Sequence, residues 1–217
     1  MKKAMGLTAI AVAASLILCQ SAAAGTDQKF SVAASFGSYP FSIQSVLTKN
    51  SVFHAGLEFG YQISGRLRVS GEFQYVDWSA NIRQEDTSTG DFSNQKQTYS
   101  STPILLSLTY VAPISKTLTF FLGAGAGYHP ATFKTHILFH EGGVDIVDTE
   151  IKYDGHGIVP HISLGLETEL SNRIWVFGQV RQLFGFFRYS STMAPLTTVT
   201  RFRSSGTELL AGVRFYI

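Results

Sequence analysis

The feature that most constrains this chain is an alternation of period two, repeated eight times. After residue 24 no run of about 18 apolar residues accompanies it. From Phe53 to Ile63, the residues Phe53, Ala55, Leu57, Phe59, Tyr61 and Ile63 hold one parity. His54, Gly56, Glu58, Gly60 and Gln62 hold the other. Successive side chains of a strand point to opposite faces, so this segment is a strand with one apolar and one polar face. The same pattern predicts strands over 30–37, 66–75, 104–110, 118–128, 161–170, 174–189 and 208–217. Ser64-Gly65, Pro113 to Lys116 and Ser171-Asn172-Arg173 are tight polar turns. The other connections, 39–50, 83–98, 136–156 and 190–200, are long loops in this reading. Short and long alternate strictly, which puts every short turn, and both ends of the barrel, at one end of an up-and-down sheet.

Alternation alone does not say which face turns inward. Three observations favour apolar-out, the arrangement of a membrane barrel. The polar parity is rich in glycine (56, 60, 123, 125, 127, 165 and 212), which suits the cramped interior of eight strands. Every lysine after residue 24 (29, 49, 96, 116, 134 and 152) is read at a strand end or in a loop. Aromatics gather at two levels: Phe59, Tyr61, Tyr110, Phe120 and Phe215 near the short turns, and Phe36, Tyr39, Tyr75, Trp78, Tyr128 and Phe186 near the long loops. Composition agrees: 45% of residues are hydrophobic and only 15% charged, against about 25% in an ordinary soluble domain.

Lys2 and Lys3, the apolar stretch from Met5 to Leu18 and the small residues Ser21 to Ala24 read as a signal peptide over 1–24. The barrel domain is then 25–217. Cys19 follows Leu18, which is not small, so it is expected to leave with the leader rather than carry lipid, and no disulfide remains. Removing Lys2 and Lys3 leaves 15 basic against 15 acidic residues. A neutral chain lacks the basic excess of a nucleic-acid binder.

The strand Phe120 to Tyr128, the hairpin from Gly165 to Gln179 and the asymmetric connections resemble small outer-membrane barrels of the OmpA/OmpX type. The resemblance covers nearly the whole chain after the leader. It implies an all-β, eight-stranded antiparallel transmembrane barrel of a Gram-negative-type outer membrane, monomeric, with both barrel ends periplasmic. The ending Leu209, Ala211, Val213, Phe215 and Ile217 is similar to the terminal strand read by the barrel-assembly machinery, although that family usually ends in Phe. The chain stops on this strand, so the peptidoglycan-binding domain of OmpA-like proteins is not expected.

Inward positions carry Glu58, Arg66, Arg68, Glu72, His161, Glu167, Glu169, Arg181, Glu208 and Arg214, which predicts a lumenal charge network. His161, Arg181 and Glu208 should meet at one height. Glu58 and Glu72 should lie close and need Arg68, Arg214 or a shared proton. Side chains fill so narrow a barrel, so the network reads as a structural plug. His161 and Ser163 could suggest a serine hydrolase, but no third carboxylate stands at a suitable spacing and no enzyme is expected. No cofactor or metal is expected either: the loop 136–156 carries His136, His140, Glu141, Asp145, Asp148, Glu150, Asp154 and His156, but residues four apart on a strand lie about 13 Å apart.

Glu141-Gly142-Gly143 reads instead as a turn between β-rich arms, Thr135–Phe139 and Val144–Tyr153, a projecting hairpin able to bind surface partners by strand addition. Arg188, Arg201 and Arg203 make the last loop basic, suited to lipopolysaccharide phosphates. The expected partners are therefore outer-membrane lipid and lipopolysaccharide, the assembly machinery, and surface partners at 136–156. The expected function is structural or adhesive, through the long loops. The alternative is a narrow channel for small or apolar solutes, like an OmpW-like porin.

Overall fold

The computed structural model describes residues 29–41, 50–85, 92–141, 144–193, 196–203 and 206–217. The leader read at 1–24 lies outside them. Eleven strand segments form: β1 (Phe30–Phe41), β2 (Asn50–Ser64), β3 (Leu67–Glu85), β4 (Phe92–Ser101), β5 (Ile104–Pro113), β6 (Leu118–Glu141), β7 (Val144–Ser171), β8 (Ile174–Leu183), β9 (Phe186–Met193), β10 (Leu196–Arg203) and β11 (Gly206–Tyr216).

β4 and β5 both lie between β3 and β6, so they are two halves of one crossing strand. They part at Thr102–Pro103, where proline has no N–H to offer the ladder. The Pro103 carbonyl still accepts from the Gln74 N–H at 2.9 Å. β8 and β9 both follow β7, and β11 and β10 pair with them in turn. β1 then closes the ring on β11, from Ser31 opposite Tyr216 to Ser38 opposite Leu209. The described segments therefore make eight crossing strands of a closed antiparallel barrel, as the alternation predicts.

The faces are inverted relative to a soluble protein. Phe53, Leu106, Ile158, Ile162, Leu164 and Leu170 are exposed on the outer wall, while Arg68, Glu72, Glu167, Arg181, Glu208 and Arg214 are each 3% exposed or less inside. Phe59, Tyr61 and Tyr110 mark the lower aromatic level and Phe36, Tyr75 and Tyr128 the upper one, all outward and exposed. Trp78 does not belong to that level. It shares the parity of buried Val76 and packs against the inner cluster. The side chains of Tyr39 and Phe186 lie outside the described residues.

Three connections read as long loops are largely strand. β3 and β4 pair out to Glu85 opposite Phe92, β6 and β7 to Glu141 opposite Val144, and β9 and β10 to Met193 opposite Leu196. Residues 142–143 lie between the arms, where the turn was expected. Three of the lysines assigned to loops or strand ends (Lys96, Lys134 and Lys152) therefore stand within strands, beyond the lipid-facing stretch. A membrane crossing takes about 9–11 residues. β6 has 24 and β7 has 28, so this pair runs far past the barrel wall.

Glycine makes the interior possible. A Cβ at Gly125 would sit 2.8 and 2.9 Å from two atoms of the His161 ring. One at Gly56 would sit 2.7 Å from Ser35 Oγ and 2.8 Å from Glu72 Oε1. At Gly56 polar side chains from both neighbouring strands occupy the space; at Gly125 the Leu106 backbone carbonyl on one side, closer still, and the His161 ring on the other leave no room for a side chain.

Candidate functional site: the lumen and the projecting sheet

The inward side chains form three storeys. In the one nearest the short turns, Arg214 pairs with Glu58 at 3.1 Å and with Glu167. Arg68 lies 3.5 Å from Glu167 and donates to the Tyr216 hydroxyl at 2.9 Å. That hydroxyl donates onward to the second oxygen of Glu167 at 3.0 Å. Phe121 and Phe177 complete the layer, the Arg214 guanidinium standing 4.9 Å from the Phe177 ring centre and that of Arg68 5.8 Å from Phe121. Rings so placed offer their negative faces to cations that have lost their water.

In the middle storey Arg181 bridges two carboxylates, Glu72 at 2.5 Å and Glu208 at 3.1 Å. Gln74 donates to the other oxygen of Glu72 at 2.9 Å. His161 contacts the Ser107 hydroxyl at 2.9 Å on β5. The upper storey holds an apolar cluster, Val52, Val76, Tyr99, Ala131, Phe133, Val159 and Leu183, with Trp78 and Tyr153 against it and the buried polar side chains of His54, Gln97 and His129 on the same inner wall.

Backbone register explains the pairing. Glu58 and Glu72 are direct cross-strand partners, as are Arg181 and Glu208. Like charges opposite one another repel, and the two glutamates separate by turning to different arginines: Glu58 to Arg214, Glu72 to Arg181. Arg68, one of the partners considered for this pair, serves Glu167 and Tyr216 instead. A planar guanidinium suits this arrangement because its fork of donors engages two carboxylates together.

Three sequence readings are corrected. His161 does not join Arg181 and Glu208; it stands opposite Leu183 in the register, while Ser163 stands opposite Arg181. Its ring engages the Ser107 hydroxyl instead. Arg66 is not lumenal. It is exposed beside the first turn, 3.4 Å from the Tyr110 hydroxyl. Glu169, partly buried at the rim next to a register shift, takes no part in these ion pairs. Sequence reasoning missed Tyr216, Gln74 and Ser107. Tyr216 shares the parity of Glu208 and Arg214, which was the available signal. On β11, Leu209 and Ala211 face outward beside β1, with Val213, Phe215 and Ile217 partly exposed after them.

Beyond the barrel wall, β3, β4, β6 and β7 continue as a projecting sheet. On its outer face Thr132 donates to Asp154 at 2.8 Å, Lys152 pairs with Asp154 at 2.7 Å, and Lys134 with Glu150 at 3.2 Å. The bonds from Lys152 and Thr132 hold the Asp154 carboxyl below the usual carboxylate range. β9 meets β7 only through Tyr153 to His156. From Val144 to Lys152, β7 is thus paired on one side only among the described residues. No cluster of three metal-ligating side chains occurs among the described residues. Arg188 and Arg201 are opposite in the β9–β10 hairpin, with their side chains, and that of Arg203, outside the description.

This architecture has close counterparts. Neisserial surface protein A is 16% identical with a TM-score of 0.55, covering 89% of this chain and 100% of that one. A major outer membrane protein from Thermus thermophilus is 11% identical with a TM-score of 0.56, covering 87% of this chain and 98% of that one. At such identities the likeness concerns the fold alone. Comparison with curated protein sequences finds no match. The family model described as outer membrane protein beta-barrel domain matches residues 10–202, and the chain belongs to that family.

Proposed function

We propose that this outer-membrane barrel works at the cell surface as a non-enzymatic interaction protein, its lumen a structural plug and its projecting sheet the working part. In this reading the short turns and chain ends face the periplasm and the β6–β7 hairpin faces outward. One observation carries it: β6 and β7 continue far beyond a crossing length, and the outer edge of β7 from Val144 to Lys152 has no neighbour among the described residues. Unpaired N–H and C=O groups along such an edge accept an added strand. Asp145, Asp148 and Glu150 against Lys152 make the edge acidic, which favours an extended segment bearing lysine or arginine.

The test replaces residues 136–150 by Asn-Gly, which keeps Thr135 opposite Ile151. Folding is checked by the difference in gel mobility between boiled and unboiled protein. A library of ten-residue peptides should show binding of basic, extended members to the parent protein and loss in the shortened one. Equal binding by both would sink the proposal. A second reading, a narrow path for apolar solutes, draws support from the apolar cluster of the upper storey. Reproducible conductance in planar bilayers, altered by substitutions at Phe133 or Leu183, would favour that reading over the plug.

A further inference from the structure

Where the two halves of the fourth crossing strand part, the wall has a dent that no role above uses. Pairing of β4 with β6 ends at Ser101 opposite Ala131, and that of β5 with β6 begins at Ile104 opposite Tyr128. Pro103 and Pro130 both fall in this gap, Pro103 turned inward and buried, and neither carries an N–H. The Ser101 hydroxyl donates to the Pro130 carbonyl at 2.6 Å in place of a backbone bond. The result is an outward groove of ≈ 520 Å³ lined by Tyr75, Ser100, Thr102, Pro130, Thr132 and Asp154, among others. That volume lies within the range of small-ligand sites, roughly 300–1,000 Å³.

The lining has a specific chemistry. Tyr75, 50% exposed, presents an aromatic face, and Pro130 adds flat apolar surface. Ser100, Thr102 and Thr132 offer hydroxyls that donate and accept, and Asp154 is an ionised acceptor with lone pairs beyond those used by Thr132 and Lys152. No basic residue lines the groove among the described residues, and the nearest ammonium, that of Lys152, is paired with Asp154 at 2.7 Å. A carboxylate whose one neighbouring cation is already paired with it disfavours phosphate, whereas an aromatic face among hydroxyls and a carboxylate complements a pyranose ring, with its apolar C–H face and its rim of hydroxyls. The location names the source. Lipid-facing Ile104, Tyr128 and Ile158, each exposed, lie directly below, where the acyl chains of a lipid whose headgroup filled the groove would run.

We propose that this groove binds an uncharged sugar headgroup of a glycolipid in the leaflet at the hairpin end, the ring stacked on Tyr75 and its hydroxyls bonded to Asp154 and Thr132. The proposal depends on the barrel lying in a membrane, and not on strand addition at β7. Isotope-labelled protein in phosphatidylcholine nanodiscs, which expose both leaflets, tests it by amide shifts. A neutral dihexosyl diacylglycerol should cause saturable shifts at Ser100 to Thr102, Thr132 and Gly155. Phosphatidylglycerol, anionic and without a ring, should cause none there. Combining Tyr75→Ser with Asp154→Asn alters two exposed side chains and should weaken the glycolipid effect at least tenfold while gel mobility stays that of a folded barrel. Equal shifts with phosphatidylglycerol, undiminished shifts in the double variant, or matching shifts from free lactose would each overturn the assignment.

Discussion

Replacing Arg181 by Met tests the physical account of the lumen most directly. Arg181 is 2% exposed and is the guanidinium between Glu72 and Glu208, themselves 3% and 2% exposed. Methionine removes the positive charge while keeping much of the volume. Two carboxylates are then left facing each other out of water, with Gln74 donating to one of them. Breaking a buried pair by removing one partner costs about 3–5 kcal/mol, and two stranded carboxylates put this case at the upper end of that range. The triple variant Arg181→Met, Glu72→Gln, Glu208→Gln removes all three charges and leaves no ion uncompensated. Replacing a whole buried ionic group is often neutral or even stabilising, so this variant should lie within about 2 kcal/mol of the parent. The assay is equilibrium unfolding in urea of protein inserted into phosphatidylcholine vesicles, followed by tryptophan fluorescence and by gel mobility. The reasoning fails if Arg181→Met costs less than about 1 kcal/mol, or if the triple variant is as unstable as the single one.

Other outcomes follow from the same geometry. Gly125→Val places branched carbons against the Leu106 carbonyl and the His161 ring and should destabilise the barrel by about 1–3 kcal/mol in the same assay, the range for overpacking; a neutral result would mean that both the ring and the neighbouring strand can give way. Tyr216→Phe removes the hydroxyl that joins Arg68 to Glu167 and should cost about 1–3 kcal/mol, whereas Tyr61→Phe on the outer wall should change stability little. The Asp154 carboxyl is held below its ordinary value, so its bonds to Lys152 and Thr132 persist above the usual aspartate range and are lost as pH falls through the depressed folded value. The Thr132 amide shift should titrate below the ordinary aspartate midpoint, and a midpoint at or above it would contradict the pairing. The stability effect should be small because both partners are more than half exposed.

Much of the lumen was legible because parity is a local property. Once the alternation of 53–63 or 208–217 is recognised, His54, Glu58, Glu208 and Arg214 fall on one face without knowledge of any other strand. The same rule would have placed Trp78 inside. It was read as interfacial because aromatic character suggested a lipid boundary, whereas Tyr216 fell on the polar parity beside Arg214 without being counted in the charge network. The projecting β6–β7 arms were also legible, since Glu141-Gly142-Gly143 sits between two β-rich stretches. The strand pairing of 92–98 and 196–203 was not, because those stretches show no clean apolar–polar alternation and acquire their conformation from neighbours already in place.

By itself, the sequence determined the class of fold, the inward and outward residue sets and the need for small residues among them, because a strand's side chains alternate whatever lies beside it. Only the tertiary structure decided which arginine meets which glutamate. Height in a barrel depends on stagger between strands, and each register shift, such as those near Gln62–Ser64 and Glu169–Ser171, moves a whole strand relative to its neighbours. Counting from the turns therefore put His161 beside Arg181. The closed ring instead set His161 against Ser107, and brought Glu72 from the far side of the lumen to complete the pair with Glu208.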